Sequence, residues 1–120
     1  TVDIINLVAE YPAEDSEVRA LGQRVARGGN ATNTLVVLSR LGHACSWGGV
    51  LAEDADSAHI RADLAAHRID LRHCRHERQG KNPTSYILIS QATGSRSIMH
   101  YRDLPEFGYA DFAAIDLALA

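Results

Sequence analysis

Two asparagines three positions apart, Asn30 and Asn33, follow a glycine pair in the stretch RGGNATN, residues 27–33. A glycine pair lets the backbone approach a ligand closely, because no Cβ intervenes. The apolar run Leu35 to Leu41 comes next at helical spacing, so the segment also offers the N–H groups that a helix start leaves without internal partners. Each asparagine amide adds a donor and an acceptor. Hydroxyl groups need both. A phosphate loop would carry more glycines and a lysine before serine or threonine, and RGGNATN has neither. Gly29, Asn30 and Asn33 therefore read as contacts for a neutral polyhydroxy ligand. A plain turn followed by an asparagine cap at Asn30 would produce the same letters.

Asp3 is the next chemical feature, a carboxylate inside the apolar run TVDIINLV. Burying it is costly unless something pairs with it. Two ligand hydroxyls donating to one carboxylate would do so; a solvent-facing side chain near the chain start would need no partner. Arg96 follows the Gly94 turn, where a planar fork of donors is suited to phosphate oxygens, although most surface arginines have no such role. The cluster His73-Cys74-Arg75-His76, with His67 nearby, invites a metal reading. In a strand only Cys74 and His76 would share a face, short of the four ligands of a structural zinc site. No metal ligand is expected. No serine sits in a nucleophile elbow.

These residues must be held by a framework, and the pattern supplies one. Val2 to Ala9 reads as a strand ending before Tyr11-Pro12. Residues 12–29 are ambiguous, with a slight preference for helix on propensity. Asn30 to Gly42 predicts a capped helix, 44–51 a buried strand, and AEDADSAHIRADLAAHRI a second helix with acids early and His67-Arg68 late. Leu71 to Glu77 predicts a strand, RQGKNP a turn, and Thr84 to Ser90 with Ser97 to Arg102 a hairpin around QATGSR. A loop and a short helical turn follow. Alternating strands and helices predict an α/β layered sheet, with the hairpin as a smaller β element.

Composition bounds the partners. At 120 residues the chain suits one domain, with 46% hydrophobic residues, 22% charged and a net charge of −3. Its basic residues are scattered, so neither DNA nor RNA is expected. No apolar stretch approaches the roughly 20 residues of a membrane span. Two cysteines, Cys45 and Cys74, lie in apolar segments, which predicts free thiols in a reducing, cytoplasmic setting. The chain starts at full apolar strength and stops in DLALA. We expect a piece of a longer protein.

Three stretches, YPAEDSEVR, RGGNATN and ATGSRSI, stand here in the order and at the separations of the N-terminal signature of the ribokinase-like sugar kinases. The chain resembles above all their fructokinase branch. The likeness continues through IDLRH, TSYILISQATGSRSIMHYRDLPE and ADFAAIDL, and so covers essentially the whole chain. It implies a ribokinase-like layered α/β sheet, of which residues 1–120 are the N-terminal portion of one domain. It also implies a small β lid, with strands at about 4–8, 18–27, 84–90 and 97–102, in place of the helix that pattern favoured before Gly28. That lid strand would pair with 4–8 and with the strands at 84 and 97.

What the resemblance implies for chemistry is transfer of the ATP γ-phosphoryl group to a sugar hydroxyl, at C1 of fructose by the nearest likeness. Within the family, a kinase for ribose, adenosine or a keto-deoxy sugar acid is an alternative reading. By the same resemblance Asp3, Gly29, Asn30 and Asn33 bind the sugar, and Arg96 contacts the ATP phosphates. Two lids clasp into a homodimer, and Asp15 of the acidic EDSE turn reaches the partner's sugar. Mg²⁺ would accompany ATP, with K⁺ as a further cation. The family's catalytic base, an Asp in a G-A-G-D loop, has no counterpart in this sequence, nor do its adenine site and the N-x-x-E segment linked to Mg²⁺. No catalytic residue is expected in the chain, which would bind sugar without turning it over. A non-catalytic clasp or dimerisation module is the alternative.

Overall fold

The computed structural model describes residues 1–119. Ala120, the last residue of the DLALA run, lies outside them. The chain runs β1 (Val2–Val8), β2 (Gly22–Arg27), α1 (Asn30–Arg40), β3 (Cys45–Ser46), β4 (Gly49–Ala52), α2 (Ala55–Ala66), β5 (Ile69–Asp70), β6 (Cys74–Glu77), β7 (Lys81–Ser90), β8 (Arg96–Asp103) and α3 (Tyr109–Ala113), with a 3₁₀ turn at Leu117–Leu119. Its main sheet has four strands in the order β2-β1-β7-β8. The central pair β1 and β7 is parallel, while β2 and β8 flank it antiparallel. Two short parallel pairs, β3 with β5 and β4 with β6, complete the α/β layering.

The slight preference for helix ahead of Gly28 is overturned. β1 presents one edge of unpaired N–H and C=O groups, and Gly22–Arg27 fills it in continuous register, from Val2 opposite Arg27 to Leu7 opposite Gly22. Nonlocal pairing outweighs the modest helix propensity of the segment. The strand begins at Gly22, not at Val18, and it pairs with β1 alone; β7 and β8 lie on the far side of β1.

Other boundaries move for local reasons. The single strand expected over 44–51 divides into β3 and β4 around Trp47-Gly48, and that over 71–77 gives way to a turn after β5 followed by β6. The turn is held by Cys74 N–H donating to Leu71 O at 3.0 Å and Arg72 N–H donating to Asp70 Oδ1 at 2.9 Å. β7 starts at Lys81, inside the expected turn, and its register with β8 shifts between Lys81 and Thr84. That irregularity accommodates Pro83, which has no N–H for the ladder.

α1 begins one residue away from the expected cap. Gly29, with φ 101°, is the N-cap, and Asn30 is the first helical residue. The helix buries Thr32, Val36 and Ser39, while Leu41 is 70% exposed. Ser39 Oγ donates to His67 O at 2.5 Å, which joins α1 to the end of α2. The core gathers Val2, Val36, Leu51, Ile60, Leu64 and Ile69, where β1, α1, β4, α2 and β5 meet.

α2 is tied to the sheet through its cap. Asp54 Oδ1 accepts from Ser57 N–H at 3.0 Å, and Asp54 Oδ2 accepts from Asn82 N–H at 2.9 Å. Asn82 is buried and exchanges hydrogen bonds with both Ala52 N–H and Ala52 O, so its amide takes the place of a ladder pair between β4 and β7. Burial by itself would push the Asp54 carboxyl up; the hydrogen bonds from Asn82 and Ser57, with the Lys81 charge, outweigh it and hold the group below the usual carboxylate range. A folded-state pKa held down adds stability that is complete above the unfolded value and is lost as pH falls through the folded one. Asp54→Ala is therefore expected to cost about 2 kcal/mol at neutral pH, from the lost cap and the orphaned Asn82 donors. Urea unfolding of both chains should show that difference shrinking in acid; a difference that persists below both pKa values would refute the assignment.

Candidate functional site

β1 carries Asp3 near its start, and register decides what stands beside it. Asp3 is opposite Ser85, and Ser85 is opposite His100. Residues directly opposite in a sheet share a face, so these three form a polar row, with Ser85 Oγ 3.2 Å from His100 Nδ1. The row two residues along is apolar: Ile5 opposite Ile87, and Ile87 opposite Ile98. Above this floor stands the start of α1. Together they enclose a hollow of about 440 Å³, lined by Asp3, Ser85, His100 and Arg96, by Ile87 and Ile98, and by Thr1, Gly29, Asn30 and Asn33 from the side of the helix.

The glycine pair acts in two distinct ways. A Cβ at Gly28 would fall on the carboxylate of Asp3, well inside van der Waals contact. Only glycine lets Asp3 keep its position. Gly29 adopts φ 101°, in the left-handed region that side chains resist. Its conformation turns the chain out of β2 into α1, whose first residues line the hollow. Thr32 is buried and Thr32 Oγ1 lies within 3.0 Å of both Gly28 O and Gly29 O, which braces the turn.

Asp3, Gly29, Asn30, Asn33 and Arg96 thus line one hollow. Asp15 does not line it: it lies in the exposed connection between β1 and β2, with φ 55°. Gly28, Ser85, Ile87, Ile98 and His100 escaped the sequence reading. The doublet in RGGN was the only signal for Gly28. The others depend on strand register, which single residues do not announce.

The histidine and cysteine cluster is engaged elsewhere. His76 receives a hydrogen bond from Arg61, and His67 caps α2 with Nδ1 2.8 Å from Asp63 O. Cys74 Sγ donates to Trp47 O at 3.3 Å, and burial pushes its thiol up to about 11. Cys45 and Cys74 are both free. Among the described residues no three His, Cys, Asp or Glu side chains converge, and no helix is long and apolar enough to cross a membrane.

The chemistry available in the hollow is recognition. Asp3 can accept hydrogen bonds from hydroxyls, the asparagine amides and helix N–H groups can donate them, and the isoleucines offer an apolar surface to C–H groups. Arg96, on the first residue of β8, brings a permanent positive charge to the same space.

Comparison with known proteins identifies the family and the fold. The pfkB family carbohydrate kinase model matches residues 1–112. Ketohexokinase of Mus musculus is 39% identical over 117 residues, covering 97% of this chain and 39% of the mouse protein. Ribokinase of Thermotoga maritima superposes with a TM-score of 0.77 at 17% identity, over 98% of this chain and 38% of that one. Arabidopsis thaliana ribokinase, complexed with ribose and ATP, gives a TM-score of 0.73 at 20% identity, over 83% of this chain and 32% of that one. The chain has the ribokinase-like α/β fold and belongs to the pfkB family of carbohydrate kinases.

Proposed function

We propose that this chain is the sugar-binding portion of an ATP-dependent ketose kinase, in which the γ-phosphoryl group of ATP passes to the C1 hydroxyl of fructose. The observation that carries the proposal is the convergence of Asp3, Asn30 and Asn33 with Arg96 on one hollow with a polar and an apolar row. Asp3 accepts from sugar hydroxyls, Gly29 brings the backbone close, and the asparagine amides and helix start donate. Arg96, on the same hollow, would contact the phosphates of ATP. The preference for fructose over ribose rests on the mouse ketohexokinase; the solved neighbours, which include ribokinases, favour ribose only through fold.

The chain spans 39% of the mouse protein's length, and the complete reaction belongs to the proposal. Transfer of this kind needs in-line positioning, charge neutralisation and a base on the attacking hydroxyl. Mg²⁺ bound with ATP would supply charge neutralisation, and K⁺ is the further cation of the proposal. Arg96 is the one residue of this chain we assign to the phosphates. We assign the base to a glycine-rich loop with no counterpart in these 120 residues. The lid strands β1, β2, β7 and β8 would clasp a second copy, and Asp15 would reach the partner's sugar. Every residue of β8 is exposed, and Ile98, Met99 and Tyr101 are each exposed by half or more, which supports a lid face awaiting a partner. The cytoplasm is the proposed location.

Calorimetric titration of the 120-residue chain with fructose, ribose and adenosine, beside an ADP-release assay, tests this reading. Fructose is expected to bind at least tenfold more tightly than ribose, with no ADP release. Tighter ribose binding would move the substrate. Turnover by the chain would overturn the assignment of the base outside it. No sugar binding, together with concentration-dependent self-association, would favour the clasp module.

A further inference from the structure

Arg27 ends β2 directly before the glycine pair, and its side chain is only 7% exposed. Its Nε donates to Asp63 Oδ2 of α2 at 2.5 Å. Its Nη1 donates to Thr32 Oγ1 at 2.8 Å and to Asn33 Oδ1 at 2.9 Å, with Gly28 O more distant at 3.3 Å. One buried cation thus reaches α2, the glycine turn and a residue that lines the hollow.

A guanidinium has donors and no acceptor. The atom of Asn33 that faces it must be the carbonyl oxygen, because the amide NH₂ there would set donor against donor. Asn33 Nδ2 makes no hydrogen bond among the described residues, and Asn33 lines the hollow.

We propose that Arg27 is a positioning residue of the sugar site: by holding Asn33 Oδ1 toward its guanidinium it leaves the Nδ2 donor of Asn33 for the ligand. The inference rests on reading the hollow as a sugar site. Its consequence is a polarity code. Asp3 only accepts and the Nδ2 end of Asn33 only donates, so one ligand hydroxyl must give its proton to Asp3 while another must offer its oxygen to Asn33 Nδ2. An asparagine free to flip would accept either polarity and discriminate less. Asp63 enters the same device, since it fixes the guanidinium and thereby links α2 to the site.

A double-mutant cycle on the 120-residue chain tests this, with fructose titrated against the side-chain amide NMR signals. In the unaltered chain the Asn33 NH₂ signals should shift on adding fructose. Arg27→Met should weaken fructose binding about tenfold, and should change it less than twofold when Asn33→Ala is already present. Arg27→Lys guards against a folding failure: it keeps a cation for Asp63 but replaces the fork by a single ammonium, and should retain the fold while losing most of the effect. Equal losses in both backgrounds would show a merely structural role and overturn the proposal while the sugar site stands. So would Arg27→Lys binding fructose as the unaltered chain does. No fructose shift at any residue of the hollow in the unaltered chain would instead overturn the sugar reading, and this inference with it.

Discussion

Asp3→Ala is expected to weaken fructose binding about a hundredfold while changing unfolding stability by less than about 1 kcal/mol. Among the described residues the substitution removes the only carboxylate that lines the hollow, and a hydrogen bond to a charged group contributes about 1.5–3 kcal/mol. Stability should hold because no salt bridge or side-chain hydrogen bond of the fold depends on Asp3 among the described residues. Gly28→Ala should produce nearly the same loss by a different route. Its new Cβ falls on the Asp3 carboxylate, and that carboxylate, as the tip of a short side chain, gives way more readily than the backbone. The two changes should be strongly non-additive, because a carboxylate already removed cannot be displaced. Calorimetry with fructose on both single variants and the double variant measures this. Independent, additive losses would mean that Gly28 serves something other than the placement of Asp3.

Leu64→Ala is expected to destabilise the chain by about 3 kcal/mol, in the usual range for a leucine deleted from a close-packed core. Leu64 is 0% exposed and packs with Val2, Ile60 and Ile69 in the central cluster. A loss of that size is a large part of the roughly 5–15 kcal/mol that holds a typical domain together. Urea unfolding with an unchanged slope would give the value directly; a loss under about 1 kcal/mol would mean that the cluster does not organise the fold. The effect should reach the site as well. α2 carries Asp63 one position before Leu64, and Asp63 holds Arg27, so loosening the helix should relax the turn that presents Asn33.

Much of this was legible in the residues themselves. α2 showed its acids, its apolar positions and its closing His67-Arg68, and the structure caps it with Asp54 and buries Ser57, Ile60 and Leu64. The hairpin of β7 and β8 followed from alternating strands on either side of QATGSR. RGGNATN disclosed a turn and a helix start, because a glycine pair and the residues after it act over neighbouring positions. Each of these signals is local, set by a few residues and the conformations they allow.

What the tertiary structure decided is nonlocal. Gly22–Arg27 carries helix-compatible residues, and only the open edge of β1 makes it a strand. The cap of α1 moved from Asn30 to Gly29 because leaving β2 requires a positive φ at that point. Asp3, Ser85 and His100 stand in one row through the registers of two strand pairs, and no property of the three residues taken singly predicts it. Arg27 read as an ordinary basic residue until Asp63, Thr32 and Asn33 surrounded it. Local propensity selects which turns and helices can form; cross-strand pairing and burial, which depend on residues far apart in the chain, select which side chains meet.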